Sequence, residues 1–148
     1  MGKEQRKFLK TRDDSMKSVV SIPLWQLRCR LLDIAGRFVI LPACDPDTGK
    51  LLARGELIYG RPLMMPGEPS RCHMNAAHLW DEHTAFKESK LELMTGYGLS
   101  RDGLWRSHSW CWWENRKLAV ETTEARIAYY GFRLTEPEAE VFMDDNGW

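Results

Sequence analysis

Between Leu91 and Leu134 the chain reads as four strand-like runs separated by turn signals, and this half constrains the fold most. The runs are Leu91 to Leu99, Leu104 to Trp113, Leu118 to Thr123 and Ile127 to Leu134. Ser100-Arg101-Asp102-Gly103 and Glu114-Asn115-Arg116 mark the first two turns. Successive short connections of this kind predict an antiparallel meander. A meander needs something apolar on at least one face, so the helices must come from elsewhere in the chain.

The first half supplies them. Leu24, Leu27, Leu31 and Ile34 recur at helical spacing, with Pro23 suited to a first turn and Gly36 to a C-terminal cap. Phe38 to Leu41 reads as a short strand, residues 44 to 49 (CDPDTG) as a loop, and Leu51 to Tyr59 as a second apolar stretch, an arrangement that predicts a hairpin. Three prolines and two glycines punctuate residues 60 to 71. A helix is expected from about Ser70, a good N-cap, with Cys72 in its first turn and no breaker through Trp80. Glu136 to Met143 reads as a last helical turn or two. The expected architecture is α+β, a central helix packed on an antiparallel sheet. Residues 1 to 17, dominated by charge, read as a flexible arm before a single domain over 18 to 148.

Composition narrows the function classes. The 148 residues are 43% hydrophobic and 28% charged, as in one globular domain with a sizeable core. With 21 basic against 21 acidic residues there is no electrostatic case for nucleic acid or an anionic membrane surface as partner. No apolar run approaches the ~20 residues of a bilayer span, and the first seven residues lack the apolar core of a secretory signal, so a cytoplasmic location is expected. Cys29, Cys44, Cys72 and Cys111 form no CxxC pair, which points away from a zinc knuckle or a disulfide framework.

Chemistry concentrates in two motifs: Arg71-Cys72-His73-Met74-Asn75 at the expected helix start, and Ser107-His108-Ser109-Trp110 leading to Glu121-Thr122-Thr123 on the next strand. A thiol attacks as thiolate, and the unpaired N–H groups and positive dipole end of a helix lower its pKa and can bind an oxyanion. Strand parity relates the other two residues. If the turn centres on Glu114-Asn115, His108 lies directly opposite Glu121; if on Asn115-Arg116, the two are diagonal on one face. A carboxylate so placed fixes an imidazole's tautomer and stabilises its charged form. Trp110 shares that face and is expected to cover the site from water, and Asn75, one turn after Cys72, to bond to the preceding loop.

A cysteine at a helix start, His-x-Trp on a strand and an acid followed by Thr on the adjacent strand resemble the core of the papain-like and transglutaminase-like cysteine enzymes. The likeness covers roughly residues 70 to 123. It implies Cys72 as nucleophile, His108 as general base and acid, and Glu121 as the orienting residue. Two positions depart from the pattern. Residues 65 to 71 contain no Gln to complete an oxyanion hole, so its donors must be backbone, and the third member is Glu121 rather than Asp.

Acyl transfer through a thioester would act on a peptide, a protein or an amide-containing small molecule and needs no cofactor. Other readings of the same residues exist. A silent domain of this fold could bind a peptide or protein through its tryptophan-rich strand, and a metal-dependent hydrolase could draw on Cys72, His73, His78, His83 and His108. The spacing of His78 and His83, five apart, is off the i, i+4 step that puts two ligands on one helical face. His73, about 100° around the helix from Cys72, is expected to point to the loop or solvent.

Overall fold

The computed structural model describes residues 22–84 and 90–148; the charged arm expected over residues 1 to 17 lies outside them. Among the described residues, four helices and seven strands follow in the order α1 (Ile22–Ile34), β1 (Phe38–Val39), α2 (Thr48–Arg54), β2 (Glu56–Ile58), β3 (Leu63–Met64), α3 (Cys72–Thr84), β4 (Leu91–Leu99), β5 (Leu104–Trp113), β6 (Leu118–Glu121), β7 (Ala128–Arg133) and α4 (Glu136–Asn146). The architecture is mixed α+β, as the pattern of elements led one to expect.

The sheet order, β2-β7-β4-β5-β6-β3, corrects the simple meander. β4, β5 and β6 are consecutive antiparallel neighbours, but β7 crosses back to pair with the other side of β4, from Met94↔Arg133 to Leu99↔Ala128. Two short strands are parallel additions, β1 on β5 and β3 on β6. The hairpin expected between residues 38 and 59 does not form. Residues 48 to 54 are helical instead, with the Thr48 N–H and hydroxyl both bonded to the Asp45 carbonyl, and β2 pairs antiparallel with β7. An apolar pair such as Leu51-Leu52 serves a short helix as well as a strand, and periodicity over so few residues does not separate the two.

Helix boundaries follow local chemistry. Gly36, at φ +83, ends the turn after α1 in a conformation that side chains rarely adopt. α4 is longer than the turn or two expected, because Thr135 and Glu138 form a reciprocal capping box and Pro137 sits in the first turn. α3 starts at Cys72, one residue later than a Ser70 cap would set it. Ser70 adopts φ +61, and the first backbone bond of the helix is Asn75 N–H to Arg71 C=O at 2.9 Å.

One face of the sheet carries the helices. Leu27 and Leu31 of α1 and Leu51 of α2 pack with Tyr97, Trp105 and Phe132; Ala76 and Leu79 of α3 pack with Leu93, Cys111, Val120 and Ala139 of α4. Alternation along the strands sends Met94, Trp110, Trp112, Ala119 and Tyr129 to the opposite face, where they form a third cluster. Because Leu31 is fully buried in the first cluster, Leu31→Ala is expected to cost about 2–5 kcal/mol in urea denaturation. A loss below ~1 kcal/mol would show that α1 contributes little to this core.

Candidate active site

Cys72, His108 and Glu121 come from three elements. The β5–β6 register, Cys111↔Val120 through Trp113↔Leu118, centres the turn on Asn115-Arg116, so Glu121 is diagonal to His108 on one face. Their side chains meet: His108 Nε2 and Glu121 Oε1 are 2.7 Å apart, and both residues are fully buried. The Cys72 thiol interacts with the same imidazole, each shifting the other's pKa, and the His108 Nδ1 has no hydrogen-bond partner among the described residues. β6 pairing stops at Val120 opposite Cys111, and Ser109, two residues earlier on β5, gives its backbone N–H to the Cys72 sulfur.

Glu121 is held from all sides. Oε1 also accepts from the Tyr129 hydroxyl at 2.9 Å, and Oε2 accepts from the Thr122 N–H at 2.9 Å, the Thr123 N–H at 3.0 Å and the Thr123 hydroxyl at 3.2 Å. Burial would push this carboxyl up, but the bond and charge of His108, the Thr123 amide and the Tyr129 hydroxyl hold it below its ordinary value. His108 is raised. Burial alone would lower it, and its bonds and charge interactions with Cys72 and Glu121 outweigh that. Cys72 goes the other way: burial lifts the thiol, while His108 and the Ser109 N–H pull it below its ordinary value against a smaller upward push from Glu121. All three shifts run toward the charged forms, the thiol and the carboxyl lowered and the imidazole raised, against the burial that opposes each.

Helix α3 adds donors. With Asn75 N–H making the first ladder bond, the amides of Cys72, His73 and Met74 stand outside the ladder beside the sulfur. Asn75 fixes the entering loop as expected, its side chain accepting from Glu68 N–H at 3.1 Å and donating to Glu68 C=O at 2.7 Å. Trp110, fully buried, stacks on the His108 ring with centroids 5.8 Å apart and an interplanar angle of 22°. Gly131 makes this possible, since a Cβ there would fall 2.5 Å from the Trp110 ring.

Some readings need correction. His73 points neither to the loop nor to solvent: it is half-buried, and its Nδ1 lies 2.6 Å from Ser109 Oγ, which in turn lies 2.8 Å from Thr95 Oγ1. Burial first, then the nearby His108 charge, lowers its pKa, which keeps it neutral. Of the tryptophans on β5, Trp113 is half-buried. Trp105 and Trp110 are fully buried and Trp112 is 8% exposed. Among the described residues no group of three or more His, Cys, Asp or Glu is placed to hold a metal ion, and no helix is long and apolar enough to cross a membrane. Tyr129 and Thr123 were missed by sequence reasoning. Thr123 stood in the quoted Glu-Thr-Thr motif, but Tyr129 is on a strand whose position beside β4 has no local signal.

Truncation of Glu121 to Ala strands the buried His108 Nε2 and the Tyr129 hydroxyl and is expected to cost about 3–5 kcal/mol in urea denaturation. A loss under ~1 kcal/mol would mean the pair is not buried as described. The pH dependence has a definite sign. His108 is raised above 6.5, so its contribution is complete below that pH and fades as pH rises through the folded value. Glu121 is depressed below 4.5, so its contribution is complete above that pH and fades as pH falls through its folded value. Their joint contribution is therefore greatest between about pH 4.5 and 6.5. The wild-type minus His108→Ala stability difference, measured by urea titration from pH 3 to 9, should peak there; a flat difference would remove the linkage.

No family model, curated protein or solved structure matches the chain.

Proposed function

We propose that the protein is a thiol-dependent acyl-transfer enzyme with a papain-like or transglutaminase-like arrangement, in which Cys72 is the nucleophile, His108 the general base and acid, and Glu121 the residue that orients and charges the imidazole. One observation carries the reading: a half-buried cysteine at a helix start is coupled electrostatically to a fully buried histidine whose Nε2 is bonded to a fully buried, five-fold hydrogen-bonded carboxylate. Of the four cysteines, Cys111 is the contrast. It is buried with no acid–base partner, and burial pushes its thiol well up.

In the reaction the Cys72 thiolate adds to a carbonyl carbon, and the oxyanion that forms is met by the free amides at the start of α3. The tetrahedral species collapses as His108 gives its proton to the departing amine, leaving a thioester on Cys72. Water, or a second amine, then attacks the thioester while His108 takes up the proton, and the thiol is restored. Hydrolysis of a peptide or side-chain amide, deamidation and transfer to an amine all pass through this intermediate.

The test is the rate of Cys72 alkylation by iodoacetamide from pH 5 to 9, read by mass spectrometry. Wild type is expected to show an apparent thiol pKa well below the ordinary ~8.5, rising by at least about one unit in His108→Ala. An ordinary value unchanged by the substitution would overturn the proposal. Peptide-array incubation adds a second readout, with a product mass shift that disappears in Cys72→Ser.

A further inference from the structure

Helix α3 begins without a side-chain cap. Arg71 stands at the capping position, where its C=O accepts the first ladder bond from Asn75 N–H, and it has no side-chain oxygen to offer the free amides that follow. Two bonds to other parts of the chain hold the first turn instead. Asn75 ties it to the entering loop through Glu68. His73 ties it to the sheet, with Nδ1 2.6 Å from Ser109 Oγ of β5.

Ser109 is the anchor for both residues at the start of the helix. It is fully buried, and alternation along β5 puts its side chain on the helix-bearing face with Cys111, while His108 faces the other way with Trp110. Its N–H goes to the Cys72 sulfur and its hydroxyl meets His73, the next residue of the chain. Thr95, directly opposite on β4 and 6% exposed, bonds the same hydroxyl at 2.8 Å. A hydroxyl carries one proton, so Ser109 donates to one of these partners and accepts from the other, and the row Thr95, Ser109, His73 is satisfied in either direction. Phe142 of α4 meets the His73 ring edge-on, with centroids 6.2 Å apart and an interplanar angle of 67°. Burial and the His108 charge keep His73 neutral, so it brings a bond to the site and no charge. Hydrogen bonds weaken steeply as their geometry degrades, and a shift on the order of 1 Å at the start of α3 is enough to loosen the sulfur from its partners.

Resting on the acyl-transfer reading above, we propose that His73 is a positioning residue for the nucleophile: through Ser109 Oγ, itself fixed by Thr95, it pins the first turn of α3 to β5 and so keeps the Cys72 sulfur on the Ser109 N–H and coupled to the His108 imidazole.

The experiment follows iodoacetamide labelling of Cys72 from pH 5 to 9 in the full chain, read by mass spectrometry. In His73→Leu the apparent thiol pKa is expected to rise by about one unit, which slows labelling below the wild-type value up to about tenfold. Because His73 is neutral, its loss takes no charge from the site, and the rise reports a displaced sulfur. His73→Asn, whose amide reaches the place of Nδ1, should regain most of the lost rate. Ser109→Ala keeps the N–H on the sulfur but removes Oγ, and should match His73→Leu. The double variant should be no slower than either single one, since both remove the same contact. His78→Leu is the control for loss of helix stability alone: it breaks the 2.6 Å contact of His78 Nε2 with the Gly147 C=O, made by the same helix, and should leave the thiol pKa as in wild type. An unchanged pKa in His73→Leu and Ser109→Ala, an equal rise in His78→Leu, independent effects that multiply in the double variant, or a His73→Asn no faster than His73→Leu overturns the clamp. If His73→Leu does not fold, Ser109→Ala and His73→Asn decide the matter by the same criteria. Each of those results leaves the acyl-transfer reading standing where the wild-type thiol pKa is low, and an ordinary wild-type value defeats that reading whatever the variants do.

Discussion

A fully buried imidazole bonded to a fully buried carboxylate is an expensive thing to keep inside a small protein, and much of the sheet is arranged around it. Either group left alone in that environment would shift to its neutral form. The carboxylate keeps its charge because β6 turns sharply after Glu121, which brings two successive amides onto Oε2, and because β7 brings the Tyr129 hydroxyl to Oε1. Against the burial that lowers it, the imidazole's pKa is raised by Cys72 and by the carboxylate, which favours its protonated form. A buried pair of this kind is weak evidence for stability, since apolar replacements often hold a fold equally well. Its value here lies in what it does to the sulfur at the third corner.

The sheet's glycines and aromatics follow from that requirement. His108 faces Gly96 across the β4–β5 pair, and Gly96 in turn faces Gly131 on β7. With no side chain at Gly131, the Trp110 ring can lie over the sheet and stack on His108, and Tyr129 closes the other side with its centroid 4.9 Å from that of Trp110. The aromatic cage excludes water from the imidazole and strengthens every electrostatic interaction within it. The same residues thus act as core and as insulation.

How much of this the sequence discloses depends on distance along the chain. The β5–β6 hairpin was legible because four residues join its strands, and parity then places His108 and Glu121 on one face. The start of α3 near Cys72 was legible from its flanking residues. What escaped was set by long-range pairing. Nothing local says that β7 lies beside β4 rather than β6, so Tyr129 could not be assigned to Glu121. Nothing local separates a seven-residue helix over Thr48–Arg54 from a strand. The direction of His73 was misjudged because helical angle alone omits the neighbour, and the neighbour is Ser109 of β5.

The order in which these pieces join has a consequence for the sulfur. The β4–β5–β6 segment is built from local turns, and chains close such contacts early and at small entropic cost. The pairing of β2 with β7, Glu56↔Gly131, and of β3 with β6, Leu63↔Val120, must instead close loops of many tens of residues, and the latter pairing secures the loop that leads into α3. The imidazole and the carboxylate can therefore meet in a partly folded chain, whereas the cysteine reaches them only when the long loops have closed. The surroundings that lower the Cys72 thiol are therefore complete only once the last strands dock, so the state of that one sulfur reports on the finished fold.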